Sequence, residues 1–268
     1  MNEDGFFTID RLSISFGGIM AVDQVSFQII PGSIFSIIGP NGAGKTTIFN
    51  CISGLYRPDS GNIYFRDENI IGLKPHIIAK KGIARTFQNI ELFSRMTTME
   101  NLMLGRHIHM KTGVWSGSTF FRKGSRAARE EVEHREKVER IIDLLDLQSA
   151  RDKFVGSLPY GTQKLIELGR ALAMEPALLL LDEPSAGMNS EEKQDLIFWI
   201  KDIQDELGVT ILVIEHDMKM VMEISDHVLA MNFGKPITAG SPEEVRKHPE
   251  VLKAYLGEDD IIENSTPS

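Results

Sequence analysis

Three separate stretches of this chain carry residue types at spacings suited to phosphate chemistry. Gly39-Pro40-Asn41-Gly42-Ala43-Gly44-Lys45-Thr46 fits the phosphate-loop pattern G-x-x-x-x-G-K-[ST] at every fixed position. An apolar, β-branched run over 33–38 precedes it and reads as a buried strand. Thr47-Ile48-Phe49-Asn50-Cys51 follows and can open a helix. Glycines let consecutive N–H groups curl inward round a phosphate, and the new helix adds the positive end of its dipole. In such a loop Lys45 reaches the β- and γ-phosphates and the Thr46 hydroxyl ligands Mg²⁺, with Thr47 beside them. The stretch implies a nucleoside triphosphate site.

Leu178-Leu-Leu-Leu-Asp182-Glu183-Pro184 is the second stretch. An apolar strand ending in Asp-Glu puts two carboxylates at the carboxyl edge of a parallel sheet, where open α/β sheets bind ligands. Asp182 is expected to hold Mg²⁺ through water, and Glu183 to polarise a water attacking the γ-phosphate. Ile211-Leu-Val-Ile-Glu215-His216 ends another apolar run in a histidine, whose imidazole can contact the γ-phosphate and distinguish ATP from ADP. Gln88 ends a short strand at 84–87; its amide oxygen can ligand Mg²⁺ or orient water, on a loop free to follow nucleotide state.

The elements that must position these groups are legible as α/β texture. Strands are expected over 6–16, 25–30, 33–38, 62–65, 177–181, 209–214, 227–231 and 235–239. Helices are expected over 75–81, 98–104, 125–147, 190–207 and 217–224, with short ones opening at Pro242 and Pro249. Within 125–147, Val138, Ile141, Ile142 and Leu145 form a buried stripe, and Glu131/Arg135, Glu133/Lys137 and Glu136/Arg140 have the favourable i,i+4 order. This middle region is helical while both flanks alternate strand and helix, so it reads as a helical subdomain inserted into an α/β core. Trp115, Phe120 and Phe121 in its aromatic loop are read as capping the insert's own small core, with a partner-facing or membrane-adjacent loop as the alternative reading.

Composition narrows the class. The 268 residues, 42% hydrophobic and 25% charged, are ordinary for a soluble globular protein. A formal charge of −9 argues against wrapping nucleic acid through the general surface. The single cysteine, Cys51, forms no internal disulfide and reads as a buried filler rather than a nucleophile. The first residues lack the basic-then-apolar plan of a signal peptide. No apolar run approaches the roughly 20 residues of a membrane span, so work at a membrane would go through partners.

The order of these pieces, with Leu158-Pro159-Tyr160-Gly161-Thr162-Gln163 between Gln88 and Asp182, resembles the ATPase subunit of an ABC transporter over nearly the whole chain. The resemblance implies a P-loop NTPase (RecA-like) core with an antiparallel β subdomain and an inserted α-helical subdomain. It places one cassette over 1–268: core and β subdomain at 1–88 and 160–240, helical insert at 89–159, C-terminal helices and polar tail at 241–268. It implies ATP and Mg²⁺ as cofactors and a head-to-tail dimer with two ATP molecules at the interface. It also implies adenine stacking on Phe16 and trans contacts to ATP from Tyr160, Gly161, Thr162 and Gln163. Phe16-Gly-Gly18, Arg85-Thr-Phe-Gln88, Glu100-Asn-Leu102, Ile214-Glu-His-Asp-Met218 and Ala254-Tyr-Leu-Gly-Glu258 resemble one subgroup, the ATPases of branched-chain (hydrophobic) amino-acid importers. Such importers pair two unlike ATPase chains with two polytopic membrane permeases at the cytoplasmic face of the inner membrane, fed by an external substrate-binding protein.

Two departures stand out. The family signature Leu-Ser-Gly-Gly-Gln here begins Leu158-Pro159, and Pro159 offers neither hydroxyl nor N–H. The loop after Asp-Glu-Pro ends in Asn189 where the family has Asp. Other cargoes stay open, lipopolysaccharide export and urea uptake among them. A soluble cassette acting on ribosomes or DNA is the reading from another class; a single cassette, an insert of ordinary length and negative charge speak against it. A regulatory module without hydrolysis is opposed by Glu183.

Overall fold

A computed structural model describes residues 5–110 and 126–255. The aromatic loop with Trp115, Phe120 and Phe121, and the polar tail from Glu258, lie outside the described residues. The chain divides into two compact units, one formed by Met1–Arg85 with Leu178–Ser268, the other by Thr86–Ala177.

The first unit holds two sheets. Strands β1 (Phe7–Phe16), β2 (Ile19–Ile29), β4 (Ser60–Phe65) and β5 (Glu68–Asn69) form an antiparallel sheet in the order β2-β1-β4-β5. Strands β3 (Ile34–Ile38), β6 (Ile83–Arg85), β7 (Leu178–Asp182), β8 (Thr210–Ile214), β9 (His227–Asn232) and β10 (Lys235–Gly240) form the other, in the order β10-β9-β3-β8-β7-β6. β9, β3, β8, β7 and β6 run parallel, and β10 closes one edge antiparallel. Every residue of β3, β7 and β8 is buried. Strands covered on both faces need unbroken Ile/Leu/Val runs, which is how these three read in the sequence. Phe27 of β2 stacks on Phe35 of β3 at 5.0 Å, fixing one sheet against the other.

Helices α1 (Lys45–Ile52), α2 (Pro75–Lys80), α6 (Ser190–Leu207), α7 (Met218–Ile224) and α8 (Pro242–Lys247) complete this unit. α6 is capped at both ends: the Asn189 side chain accepts from Glu191 N and Glu192 N, Glu192 reaches back to Asn189 N, and Gly208 turns left-handed after the last turn. α8 and the helical residues 249–255 place Val245 and Val251 in a cluster with Ile38, Val221, Val228 and Ala230. The C-terminal helices therefore join the core.

The second unit is helical: α3 (Thr98–Gly105), α4 (Arg126–Leu144) and α5 (Tyr160–Leu172). The stripe expected on α4 is buried as read: Val138, Ile141, Ile142 and Leu145. Arg135 meets Glu131 at 3.7 Å, whereas Lys137 leaves its helix partner for Glu175 at 2.8 Å. Buried Arg106 donates to Ala173 O and His134 Nδ1. Burial first, then the Arg106 charge, pulls the His134 pKa down, so this imidazole is held neutral. The sequence boundary at 159 gave α5 to the α/β core. In the structure its buried face packs on α3 and α4, and this unit runs on to Ala177.

Candidate functional site

The parallel strands decide where the chemistry gathers. β3, β8 and β7 are neighbours in register, with Ile37 opposite Ile214 and Ile214 opposite Asp182. Their carboxyl ends therefore open side by side: β3 into 39–44, β8 into Glu215-His216-Asp217, β7 into Glu183 and the loop after it. Lys45, Thr46, Asp182, Glu183 and His216 thus share one edge of one sheet, the place where such sheets bind ligands.

The phosphate loop is shaped by close approach. Gly39 has φ 152° and Gly44 φ 97°; an added Cβ would lie 2.3 Å from Met231 O at the first and 2.4 Å from Ala21 O at the second. Only glycine fits either place without moving backbone. Ala43 N donates to Pro40 O, and α1 begins at Lys45. Lys45 is buried, and its Nζ donates to Gly39 O at 2.5 Å and Pro40 O at 3.0 Å, so the ammonium lies inside the curl of the loop. Thr46 is exposed and Thr47 half-buried at the same helix start. Phe16 is 44% exposed at the end of β1 with its ring edge-on to Tyr56 at 5.1 Å, leaving a face for a planar partner.

Asp182 is buried and paired with Arg85 at 2.6 Å. Glu183, half-buried, adopts φ 47° while its N–H still donates to Ile214 O at 2.9 Å. The left-handed turn ends the strand between the two carboxylates and re-aims the second, a strain of the kind that collects at functional sites. His216 is exposed, and buried Glu215 holds the loops round it: its carboxylate accepts from Ser185 N at 2.9 Å, His216 N at 3.1 Å and Asp217 N at 3.4 Å. Asp217 caps α7 and pairs with Lys193 of α6 at 2.7 Å; that hydrogen bond is the main reason its pKa lies below the usual carboxylate range. Glu215→Gln would turn an amide N–H₂ toward backbone donors. Its unfolding free energy is expected to fall by about 2 kcal/mol, read from the denaturant midpoint; an unchanged midpoint would deny Glu215 that role.

The oxygens of Thr46 and Asp182 suit a hard divalent cation. Among the described residues no group of three or more His, Cys, Asp or Glu could hold a metal by itself. The donor set therefore fits an ion shared between one or two protein oxygens and substrate phosphates. Cys51 takes no part: burial first, then the Asp59 charge, pushes its thiol up to about 12.

Gln88 and 160–163 lie in the second unit. Gln88 is exposed, and its carbonyl accepts from buried Lys164 Nζ at 2.7 Å. Arg170 donates to Glu91 O, a second strap from α5 to the same segment. Pro159 is the N-cap residue of α5, so Tyr160, Gly161 and Thr162 form its opening turn, and Gln163 Nε2 donates to Leu158 O at 2.8 Å. The positive end of the α5 dipole thus stands at the divergent signature.

Residues 22–186 match the family model described as ABC transporter. The chain belongs to that family. A second model, branched-chain amino acid ATP-binding cassette transporter, matches 235–261. The cassette is 43% identical over 253 residues to the "High-affinity branched-chain amino acid transport ATP-binding protein BraF" of Pseudomonas aeruginosa, covering 93% of this chain and 97% of the relative. It is 41% identical over 251 residues to the corresponding protein LivG of Escherichia coli K12, covering 94% and 97%. A crystal structure of the ADP conformation of an ATP-binding cassette from an ABC transporter superposes with TM-score 0.80 at 31% identity, over 94% of this chain and 98% of that one. A nucleotide-free cassette gives TM-score 0.79 at 31% identity, over 93% and 98%. The cassette is thus an ATPase with the P-loop fold, antiparallel β subdomain included.

Arg85, Glu215 and Tyr56 are contact residues of the site to which sequence reading assigned no role. For the first two the signal was a charge at the end of an apolar strand, which must be buried with a partner.

Proposed function

We propose that this cassette is the ATP-hydrolysing subunit of an importer for branched-chain and other hydrophobic amino acids. It works at the cytoplasmic face of the inner membrane with two polytopic permeases, a second ATPase subunit and, indirectly, an external binding protein. The convergence of Lys45, Asp182, Glu183 and His216 on one sheet edge carries the reading of the chemistry. The relatives' amino-acid transport names support the cargo. Among the described residues no helix is long and apolar enough to cross a membrane, in keeping with a subunit that acts on membrane partners.

In this reading the loop 39–44 wraps the phosphates with backbone N–H groups and Lys45 neutralises the β- and γ-oxygens. Thr46, Gln88 and Asp182 would hold Mg²⁺, which would offset phosphate charge. Glu183 takes the proton of the attacking water. His216 donates to the γ-phosphate. Phe16 stacks on adenine, and Tyr160, Gly161, Thr162 and Gln163 approach the ATP held by the opposite subunit through the opening turn of α5. ATP-driven closure of the two cassettes then moves the permeases, and the cargo never meets this chain.

The test is purification of the tagged chain from crosslinked, solubilised membranes of its host, followed by reconstitution into vesicles. Two different polytopic proteins and a second cassette are expected to co-purify, and labelled leucine uptake is expected to require ATP. Ribosomal or DNA-repair proteins without a permease would overturn the transport reading and leave the ATP site standing.

A further inference from the structure

Arg85 joins two elements of the nucleotide edge through its side chain. It closes β6, the last strand of the parallel sheet. Its Nη2 meets Asp182 Oδ2 at 2.6 Å, with the two side chains only 9% and 4% exposed. Its Nη1 donates to Asn50 Oδ1 at 2.8 Å and Ser53 Oγ at 3.2 Å, on α1 and at its C-cap. The guanidinium lies 5.5 Å over the Phe49 ring of the same helix. One planar cation is therefore gripped on one side by the helix that begins with Lys45 and Thr46, and on the other by the carboxylate ending β7. A guanidinium suits this place because its rigid fork fixes two acceptors at a set angle and its flat face packs on an aromatic ring.

We propose that Arg85 is a positioning residue for the ATP site: it holds the Asp182 carboxylate in one orientation and ties that orientation to α1, hence to Thr46. The inference rests on the proposed reading of Thr46 and Asp182 as the oxygens nearest the magnesium ion. A carboxylate in an apolar strand end, with one oxygen engaged by Arg85, presents the other in a fixed direction. Freed of Arg85, it turns to whatever donor is nearest. Outer-shell partners of metal-linked carboxylates act in this way, and their loss commonly weakens metal affinity about 10–100-fold.

The experiment is calorimetric titration of the full chain with a non-hydrolysable ATP analogue, first in EDTA and then over a series of Mg²⁺ concentrations. Unfolding midpoints are measured without nucleotide. Arg85→Met is expected to raise the Mg²⁺ concentration for half-maximal tightening about 10–100-fold. Its affinity in EDTA is expected to stay at the wild-type value. Arg85→Lys, which keeps the charge and loses the fork, is expected to fall between the two. If Arg85→Met does not fold, Arg85→Lys and Asn50→Ala carry the test, each with a smaller shift in the same direction. An unchanged Mg²⁺ requirement in a folded variant overturns the proposal, as does a loss of affinity equal with and without Mg²⁺, which would mark a merely structural residue. If the wild-type chain binds the analogue with no dependence on Mg²⁺, the assignment of Thr46 and Asp182 fails and takes the proposal with it. A Mg²⁺-dependent wild type with an unaffected Arg85→Met removes Arg85 alone.

Discussion

Glu183→Gln is expected to lower ATP turnover about 10²–10⁴-fold while leaving nucleotide affinity at the wild-type level. The substitution changes one oxygen to nitrogen in a half-buried side chain whose place is set by the backbone: φ 47°, with the N–H donating to Ile214 O. Gln keeps the volume and the anchoring, so the loop geometry is retained. What goes is the acceptor for the proton of the attacking water. Asp182, the other carboxylate at this strand end, is engaged with Arg85 at 2.6 Å and is a poor substitute base. ATP-bound cassettes should accumulate as dimers, since closure without hydrolysis has no exit. Phosphate release with single-turnover controls, together with gel filtration in ATP, reads both effects. Wild-type turnover in a folded variant would remove Glu183 from its catalytic place.

The strands that build the edge were legible because they are buried on both faces, so β3, β7 and β8 appear as short unbroken apolar runs. The first half of β2 was not. Ile19 and Met20 are apolar yet 75% and 50% exposed, so no alternation announced the strand and only 25–30 was expected. The phosphate loop was legible residue by residue, since the pattern encodes contacts between residues adjacent in sequence. Arg85 with Asp182, and Ser185 with Glu215, join residues far apart in the chain. A charge in an apolar strand says that a partner exists and leaves open which one. Helix α5 shows the same limit: the boundary at 159 came from the resemblance, which does not say whether sheet or helices cover the buried face of α5.

Asn189 shows a departure that the structure makes intelligible. Judged against the family's Asp it loses a charge. In the fold its side chain accepts from two N–H groups as the N-cap of α6, inside a capping box with Glu192. Asn caps a helix as well as Asp does. The loop from Glu183 to Asn189 is thus pinned at both ends, by Ile214 and by α6, with Glu215 gripping Ser185 between them.

Lys45→Ala is expected to weaken ATP binding about 10²–10⁴-fold with little change in the unfolding midpoint. The two effects have different origins in the same ammonium. In the nucleotide complex Lys45 supplies charge-assisted hydrogen bonds to phosphate oxygens, each contributing about 1.5–3 kcal/mol, and two such bonds amount to about two to four decades of affinity. In the protein alone its Nζ donates to Gly39 O and Pro40 O from a buried position. There the hydrogen bonds are offset by the cost of keeping a cation out of water. Removing the group takes away both terms, and of the two carbonyls that of half-buried Pro40 lies beside exposed Asn41 and Gly42, where water can satisfy it, while Gly39 stays buried. The glycine turns that shape the loop are held by backbone contacts at Met231 and Ala21, which the substitution does not touch. Equilibrium titration with ATP in EDTA isolates the lysine from the metal, and a parallel thermal scan reports the fold. Unchanged affinity would sink the assignment of Lys45 to the phosphates. A fall in affinity matched by a collapse of the midpoint would mean instead that the ammonium serves chiefly to hold the loop together.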